Sequence, residues 1–291
     1  ACSFIGTAST MQIMAEALGL ALPGTALMPS TSPDLLAFAR EAGRQAVRIA
    51  QMENMRPSDI ITMDSFENAI LVHAAISGST NCLLHIPAIA HELGIEITGD
   101  TFDRLHRNAR YLLDVRPAGR WPAEVFYYAG GVPAIMKELT KRDFLDLSLI
   151  TCTGRTVGEN LEGVVNRNPE VVRPLENPYS QTGGIAVLWG NIAKNGCVVK
   201  RSAVAPEMMV HEGPARVFDC EEDAIHAVLT HEVKPGDAVI IRYEGPKGSG
   251  MPEMFYTTEA IASDPELGAS IALITDGRFS GASKGPAIGH V

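Results

Sequence analysis

The sequence predicts an α/β (α+β) chain, in which a helix-rich α/β N-terminal domain portion is followed by a β-barrel-like C-terminal domain. Two observations predict this arrangement. Apolar residues recur with helical spacing up to about residue 150. From residue 182 onward, short β-type runs are separated by Gly, Pro, Asn and Asp at intervals typical of a barrel or a sandwich. The predicted boundaries are 1–150 for the helix-rich portion, 151–181 for a connector and 182–291 for the C-terminal domain.

The predicted helices of the N-terminal portion follow from apolar spacing and from start and stop signals. The first covers Thr10–Leu18 and ends before Gly19. Another starts at Ser32, a plausible cap, with Pro33 at the first helical position. Further helices are predicted for "SFENAILVHAAI", "NCLLHIPAIAHELG", "TFDRLHRNARYLL" and "AGGVPAIMKEL".

The C-terminal domain is predicted to be mainly β-structure. Its strand candidates are "GIAVLWGNIA", "GCVVKRSAV", "GPARVFD", "DAVIIRYEG" and "SIALITDG". The segment "CEEDAIHAVL" is the one helix predicted among the early strands.

Composition excludes several classes of protein. A net charge of −10 argues against a nucleic-acid-binding protein, because neutralising phosphates requires a basic face. No apolar run reaches the roughly 18 residues of a membrane span, and no signal peptide is visible. The five cysteines are scattered and never spaced as CxxC, which favours buried thiols in a reducing, cytoplasmic setting.

The closing segment "ITDGRFSGASKGPAIGHV" places Ser280 in a sharp turn after a buried strand. Gly277 and Gly281 flank it and allow a ligand to approach the backbone closely. An ordinary surface turn explains the same pattern, since Asp-Gly and Ser-Gly are common turn dipeptides. A serine that acts as a base needs a nearby cation or a ring of backbone N–H donors.

Three other segments have both a functional and a purely structural interpretation. In "YEGPKGSGMPEM", Glu253 is either a hard oxygen ligand for Mg²⁺ or an exposed residue of a flexible hairpin. In "SGSTN", Ser79, Thr80 and Asn81 either cap the next helix or help its N-terminus to bind an anion. Cys2 is either a small core residue or a thiolate ligand before a helix.

Six stretches that are weak signals alone become specific together, because they occur in one order. They are "ACSFIGTASTMQIMAEALGLALPG", "SGSTNCLLHIPAIAHELGI", "AGGVPAIMKEL", "TGGIAVLWGNIAKNGCVVK", "EGPKGSGMPEM" and "TDGRFSGASKGPAIGHV". In this order the chain resembles the IlvD/Edd family of dihydroxy-acid, phosphogluconate and sugar-acid dehydratases over essentially its whole length.

The resemblance implies roles for individual residues. Cys2 matches the third cysteine ligand of an iron–sulfur cluster, with 2Fe–2S favoured over 4Fe–4S, Glu253 matches a Mg²⁺ ligand, and Ser280 matches the catalytic base. Substrate contacts are expected from the residues Ser79, Thr80, Asn81, Arg278 and Ser283. Sugar-acid members have a threonine two residues after the serine, where this chain has Ala282, which leaves a second hydroxyl role open.

The resemblance also implies that the chain lacks an N-terminal segment and the extreme C-terminus. That N-terminal segment would carry the other two cluster cysteines, an acidic metal ligand and an Asp-Lys pair, so the 291-residue chain alone is expected to be inactive.

The expected partner is a small-molecule hydroxy acid, with neither nucleic acid nor membrane. The expected reaction removes water from a 2,3-dihydroxy carboxylate and gives a 2-keto-3-deoxy acid, and the main expected substrate is a sugar acid (an aldonate). One alternative is a dihydroxy-acid dehydratase of branched-chain amino-acid biosynthesis, and another is a truncated, non-catalytic remnant of the family. Self-association as a homodimer or homotetramer is also expected.

Overall fold

A computed structural model describes residues 3–281 and 283–291 of the chain. Contacts between Cα atoms divide the chain into two units. The first runs to Gly78 and resumes over Leu84–Gly184, so it includes the segment predicted as a connector. The second comprises Ser79–Leu83 and Ile185–Val291. No helix in the described part of the chain combines the length and apolar character that a membrane span requires.

Helices form the first unit. They are α1 (Thr7–Ala17), α2 (Leu35–Ala50), α3 (Pro57–Ile60), α4 (Met63–Ile76), α5 (Cys82–Glu92, whose first two residues are grouped with the second unit), α6 (Gly99–Asn108), α7 (Ala123–Ala129), α8 (Gly131–Leu139) and α9 (Val157–Asn160). The predicted helices are confirmed, with several boundaries shifted. Helix α1 begins at Thr7 rather than at Thr10. Helix α2 begins at Leu35 rather than at Pro33. Helix α6 ends at Asn108, because Tyr111 and Leu113 form β-bridges instead.

Helix α4 is the centre of the first unit. Apolar residues lie on all sides of most of this helix, which is typical of a buried helix. Phe66 and Ile70 are fully buried. Neighbouring helices α1, α6 and α8 pack around it. Thr62 caps the start of the helix, because its hydroxyl accepts a hydrogen bond from the Ser65 backbone N–H.

The second unit contains a mixed sheet of six strands. Its strands are β1 (Ala186–Leu188), β2 (Cys197–Val199), β3 (Ala215–Phe218), β4 (Ala238–Ile241), β6 (Ala272–Thr275) and β8 (Ala287–Gly289), in the spatial order β1-β2-β8-β6-β4-β3. The pairs β1–β2 and β2–β8 are antiparallel, and the other three pairs are parallel. The predicted strands and the mixed helix-and-sheet class are therefore confirmed.

The described strands do not close into the barrel that the sequence suggested. Parallel strands need long crossovers, which are usually helical. Here α10 (Glu221–Leu229) connects β3 to β4, and α11 (Tyr256–Ser263) and α12 (Pro265–Ser270) precede β6. Only the first of these helices was predicted. Without the other two, the short β-runs resemble the strands of a barrel.

Candidate functional site

A second, two-stranded sheet brings two of the predicted site segments together. Strand β5 (Glu253–Met254) runs parallel to β7 (Arg278–Phe279), and Glu253 is in register with Arg278. Neighbouring strands lie about 4.8 Å apart. Ser280 follows β7 directly, so the Glu253 and Ser280 segments are adjacent within the second unit.

Asn81 links the two strands through its side chain. It is fully buried, and its Nδ2 donates to Glu253 Oε1 at 2.7 Å and to the Phe279 carbonyl oxygen at 3.2 Å. One amide group therefore fixes the orientation of the Glu253 carboxylate and holds the backbone that precedes Ser280. The sequence indicated Asn81 as a helix cap or substrate contact, whereas these bonds are to the predicted metal ligand and to strand β7.

The loop that carries Asn81 has its own internal bonds. The Asn81 backbone N–H donates to Ser79 Oγ at 3.2 Å, and the Ser79 and Thr80 carbonyls accept from the N–H groups of Cys82 and Leu83 at 3.1 and 3.0 Å. Because these bonds fix the loop backbone at the start of α5, the Asn81 side chain is presented in a defined position. A substrate-binding role for Ser79, Thr80 and Asn81 remains a prediction.

The chain that leads into the Ser280 turn is held against Tyr243 and Glu244. The Asp276 carboxylate accepts hydrogen bonds from the backbone N–H groups of Tyr243 and Glu244 at 3.1 and 3.0 Å. Gly277 lies so close to Glu244 that an added Cβ would be 2.9 Å from the Glu244 Cβ and 3.0 Å from its carbonyl oxygen. The glycine before β7 is thus needed for close packing.

The turn beyond β7 is closed by the backbone. The Ser283 N–H donates to the Ser280 carbonyl oxygen at 3.0 Å, while the buried Ser283 Oγ has no hydrogen-bond partner among the described residues. The Arg278 side chain is partly engaged by the protein itself, because its Nε donates a hydrogen bond to the Met251 carbonyl oxygen at 2.8 Å. Substrate contacts by Arg278 and Ser283 remain predictions.

Glu253 fits the chemistry of a hard-cation ligand. Its residue is exposed, one carboxylate oxygen is oriented by Asn81, and Mg²⁺ prefers carboxylate oxygens. Within residues 3–281 and 283–291, no group of three or more His, Cys, Asp or Glu side chains could hold a metal. Glu253 would therefore supply one ligand of several.

Three of the four described cysteines do not fit an iron–sulfur cluster. Cys82, Cys152 and Cys197 are buried free thiols, and burial raises the pKa of each. A cluster requires thiolates, whereas these residues are protonated core side chains, as the scattered spacing predicted. Cys2, the predicted ligand, lies outside the described residues.

One buried residue near the turn was not singled out by sequence reasoning. Lys200 directly follows the predicted strand "GCVV" and is only 6% exposed. The signal that could have indicated it is a lysine at the end of a fully apolar strand, where a charge is costly to bury.

The comparisons with known proteins cover both units. Residues 1–160 match the model of the dihydroxy-acid/6-phosphogluconate dehydratase N-terminal region, and residues 170–291 match that of the C-terminal region of the same family.

Curated relatives align over the whole chain. It is 52% identical over 291 residues to a dihydroxy-acid dehydratase of Clostridium beijerinckii, 53% identical to one of Lachnoclostridium phytofermentans and 50% identical to one of Moorella thermoacetica. Each alignment covers 100% of this chain and 52% of the relative, so the chain spans about half the length of the curated relatives it matches.

Proposed function

The chain belongs to the dihydroxy-acid/6-phosphogluconate dehydratase family, and from this membership we propose that the protein containing it is a hydro-lyase. Its substrate is a 2,3-dihydroxy carboxylic acid, and its product is the corresponding 2-keto acid. The observation that carries the proposal is the identity of about half of all 291 positions with proteins named dihydroxy-acid dehydratase.

The relatives support the alternative substrate better than the sugar acid that was the main expectation. The sugar-acid expectation rests on short stretches of the chain, which contain few positions each. The 52% identity to the Clostridium beijerinckii protein is measured over 291 residues and therefore weighs more. We accordingly propose a dihydroxy acid of branched-chain amino-acid biosynthesis, the alternative that the sequence left open.

Glu253 is proposed to bind the divalent cation, with Asn81 holding its carboxylate in place. The 2.7 Å hydrogen bond from Asn81 supports this role, because groups that orient metal ligands tune metal affinity. When bound, Mg²⁺ would stabilise negative charge on the substrate carboxylate and the adjacent hydroxyl.

Ser280 is proposed to take the proton from C2 of the substrate. The C2–H bond breaks and its proton moves to Ser280 Oγ. The C3–O bond then breaks, and the departing hydroxide takes that proton from Ser280 Oγ, so that it leaves as water and the base is regenerated. The resulting enol then tautomerises to the 2-keto acid. The position of Ser280 beside the Glu253 strand supports this role, because a base has to reach the substrate carbon next to the metal-bound carboxylate.

An iron–sulfur cluster is part of the proposal only through family membership. The described cysteines do not form a cluster site, so no step is assigned to the cluster here. A homodimer or homotetramer is likewise proposed and is measurable by light scattering.

The experiment is turnover by the full-length protein encoded by the gene of this chain. We expect formation of the 2-keto acid from 2,3-dihydroxyisovalerate and little product from xylonate, galactonate or arabinonate. Ser280→Ala should lower turnover by about 10²–10⁴-fold, which is typical of a deleted general base. Ser263→Ala, an exposed serine at the end of α11, is the matched control and should leave turnover unchanged.

The outcome also separates the competing functions. Preferred turnover of an aldonate would restore the sugar-acid alternative. A colourless full-length protein that turns over none of the four acids would favour the non-catalytic remnant.

A further inference from the structure

Lys200 occupies an unusual position for a lysine. It follows β2, whose residues are all buried and whose Val199 pairs with Ile288 of β8. The lysine itself is only 6% exposed. The chain then turns into a short 3₁₀ helix over Arg201–Ala203.

The Lys200 amine points to the turn that carries Ser280. Its Nζ donates to the carbonyl oxygen of Gly281, the next residue after Ser280, at 3.5 Å. Three residues after Lys200, the Ala203 carbonyl accepts from the Gly285 N–H at 3.0 Å. The segment after β2 therefore holds the Ser280 turn at two points.

The charge of Lys200 is poorly compensated in this location. Among the described residues, no carboxylate lies within 4.0 Å of its Nζ, and the Gly281 carbonyl is its hydrogen-bond acceptor. A buried ammonium normally requires an anion. Burial lowers the pKa of Lys200 to about 7, so protonated and neutral forms are both accessible near neutrality. A new negative charge nearby would favour the protonated form.

We infer that Lys200 is a positioning residue that anchors the Ser280 turn and supplies the positive charge that offsets the negative charge on Ser280 when it acts as a base. This inference rests on the proposed function. A serine that acts as a base needs a nearby cation, and Lys200 would be that cation. A lysine kept only for stability would be a poor choice, because an apolar side chain of similar size would fill this site without a desolvation cost.

The test compares Lys200→Met, Lys200→Arg and the control Lys194→Met, which removes an exposed lysine from the connection between β1 and β2. In the full-length protein, kcat of Lys200→Met should fall about 10²–10³-fold, the range seen when one preorganised donor for a developing charge is removed. KM should change little, and deuterium exchange at substrate C2 should fall in parallel with kcat. Lys200→Arg should recover part of kcat because it restores the charge, and Lys194→Met should match the wild type.

A structural readout on the 291-residue chain keeps the inference testable without turnover. Lys200→Met should retain the thermal midpoint of the wild type, while hydrogen–deuterium exchange increases in peptides covering residues 278–285. Wild-type exchange there, or wild-type kcat in Lys200→Met, would overturn the inference. If the wild-type full-length protein dehydrates none of the acids, the proposed function fails instead, and the exchange measurement still decides whether Lys200 anchors the turn. Should Lys200→Met fail to fold, Lys200→Gln replaces it in both measurements.

Discussion

The side-chain amide of Asn81 lies 2.7 Å from Glu253 Oε1, although 172 positions of sequence separate the two residues. The same Nδ2 atom also donates to the carbonyl of Phe279, the residue before Ser280. The orientation of the proposed metal ligand and the position of the proposed base therefore depend on one amide. Loss of that amide should affect the metal before it affects the fold.

Asn81→Ala should weaken Mg²⁺ binding by the full-length protein about 10–100-fold, the range seen when a group that orients a metal ligand is removed. Calorimetric titration with Mg²⁺, and with Mn²⁺ as a spectroscopic substitute, measures the change. Asn191→Ala removes an exposed asparagine and serves as the control. An unchanged dissociation constant in Asn81→Ala would show that the amide does not serve Glu253.

The buried pair His73 and His106 should make the first unit sensitive to acid. His73 Nδ1 lies 3.1 Å from His106 Nε2, and burial, with a smaller contribution from His73, holds the pKa of His106 well below its usual value of 6.5. The unfolded chain therefore binds a proton below about pH 6.5 that the folded chain resists. The free energy of unfolding should fall by up to about 1.4 kcal/mol per pH unit below that point.

Urea unfolding at pH 7.5 and pH 5.5 measures this dependence. Glu16 titrates in the same range with the opposite sign, because burial raises its pKa to about 7 and stability is lost as the pH rises toward that value. The comparison of variants isolates the histidine: His106→Gln should flatten the acid loss, whereas His91→Gln, at an exposed position, should not. Equal slopes in wild type and His106→Gln would contradict the prediction.

Gly277→Ala should destabilise the second unit by about 1–3 kcal/mol, because the new Cβ would approach the Glu244 Cβ to 2.9 Å and its carbonyl oxygen to 3.0 Å. Gly43→Ala is the matched control, since an added Cβ there meets nothing within 4 Å and Gly43 lies inside α2, where alanine is favoured by about 1 kcal/mol. Denaturant titration should therefore show opposite signs for the two variants. A neutral Gly277→Ala would mean that the Glu244 segment moves freely.

The 291-residue chain alone should bind no stoichiometric cluster and turn over no dihydroxy acid. Of its five cysteines, Cys82, Cys152 and Cys197 are buried thiols, and a cluster normally takes four protein ligands, or three with an open iron. Iron and sulfide analysis after anaerobic reconstitution tests this. Stoichiometric iron and sulfide in the reconstituted chain would refute it.

The secondary structure was predictable wherever one pattern dominated a segment. Helix α4 is mainly apolar, and strands β2, β4 and β6 are short apolar runs bounded by turn residues. Each of these elements was therefore predictable from its own residues. Helices α11 and α12, with the sequences "YTTEAIAS" and "PELGAS", lack a strong apolar face and were therefore not predicted. Because these helices connect parallel strands, missing them changed the predicted sheet into a barrel.

The candidate site was predictable only in part. Glu253 and Ser280 were indicated by resemblance, but β5 has only two residues and lies in a glycine-rich segment that reads as a flexible loop. The bond from Asn81 and the approach of Lys200 to Gly281 depend on how distant segments pair. No local periodicity encodes such contacts, so a single sequence does not disclose them.

Residues 79–83 belong to the second unit although they are far from the rest of it in sequence. This separation limits where related genes can recombine and where chimaeras can be joined. A gene cut near residue 185 would transfer Glu253 and Ser280 to a chimaera but leave behind the asparagine that orients them. A hybrid of two divergent paralogues joined at that point would combine a carboxylate from one parent with an amide loop from the other. Functional recombinants should therefore inherit both segments from one parent, and crossovers between residues 83 and 185 should be under-represented among active hybrids.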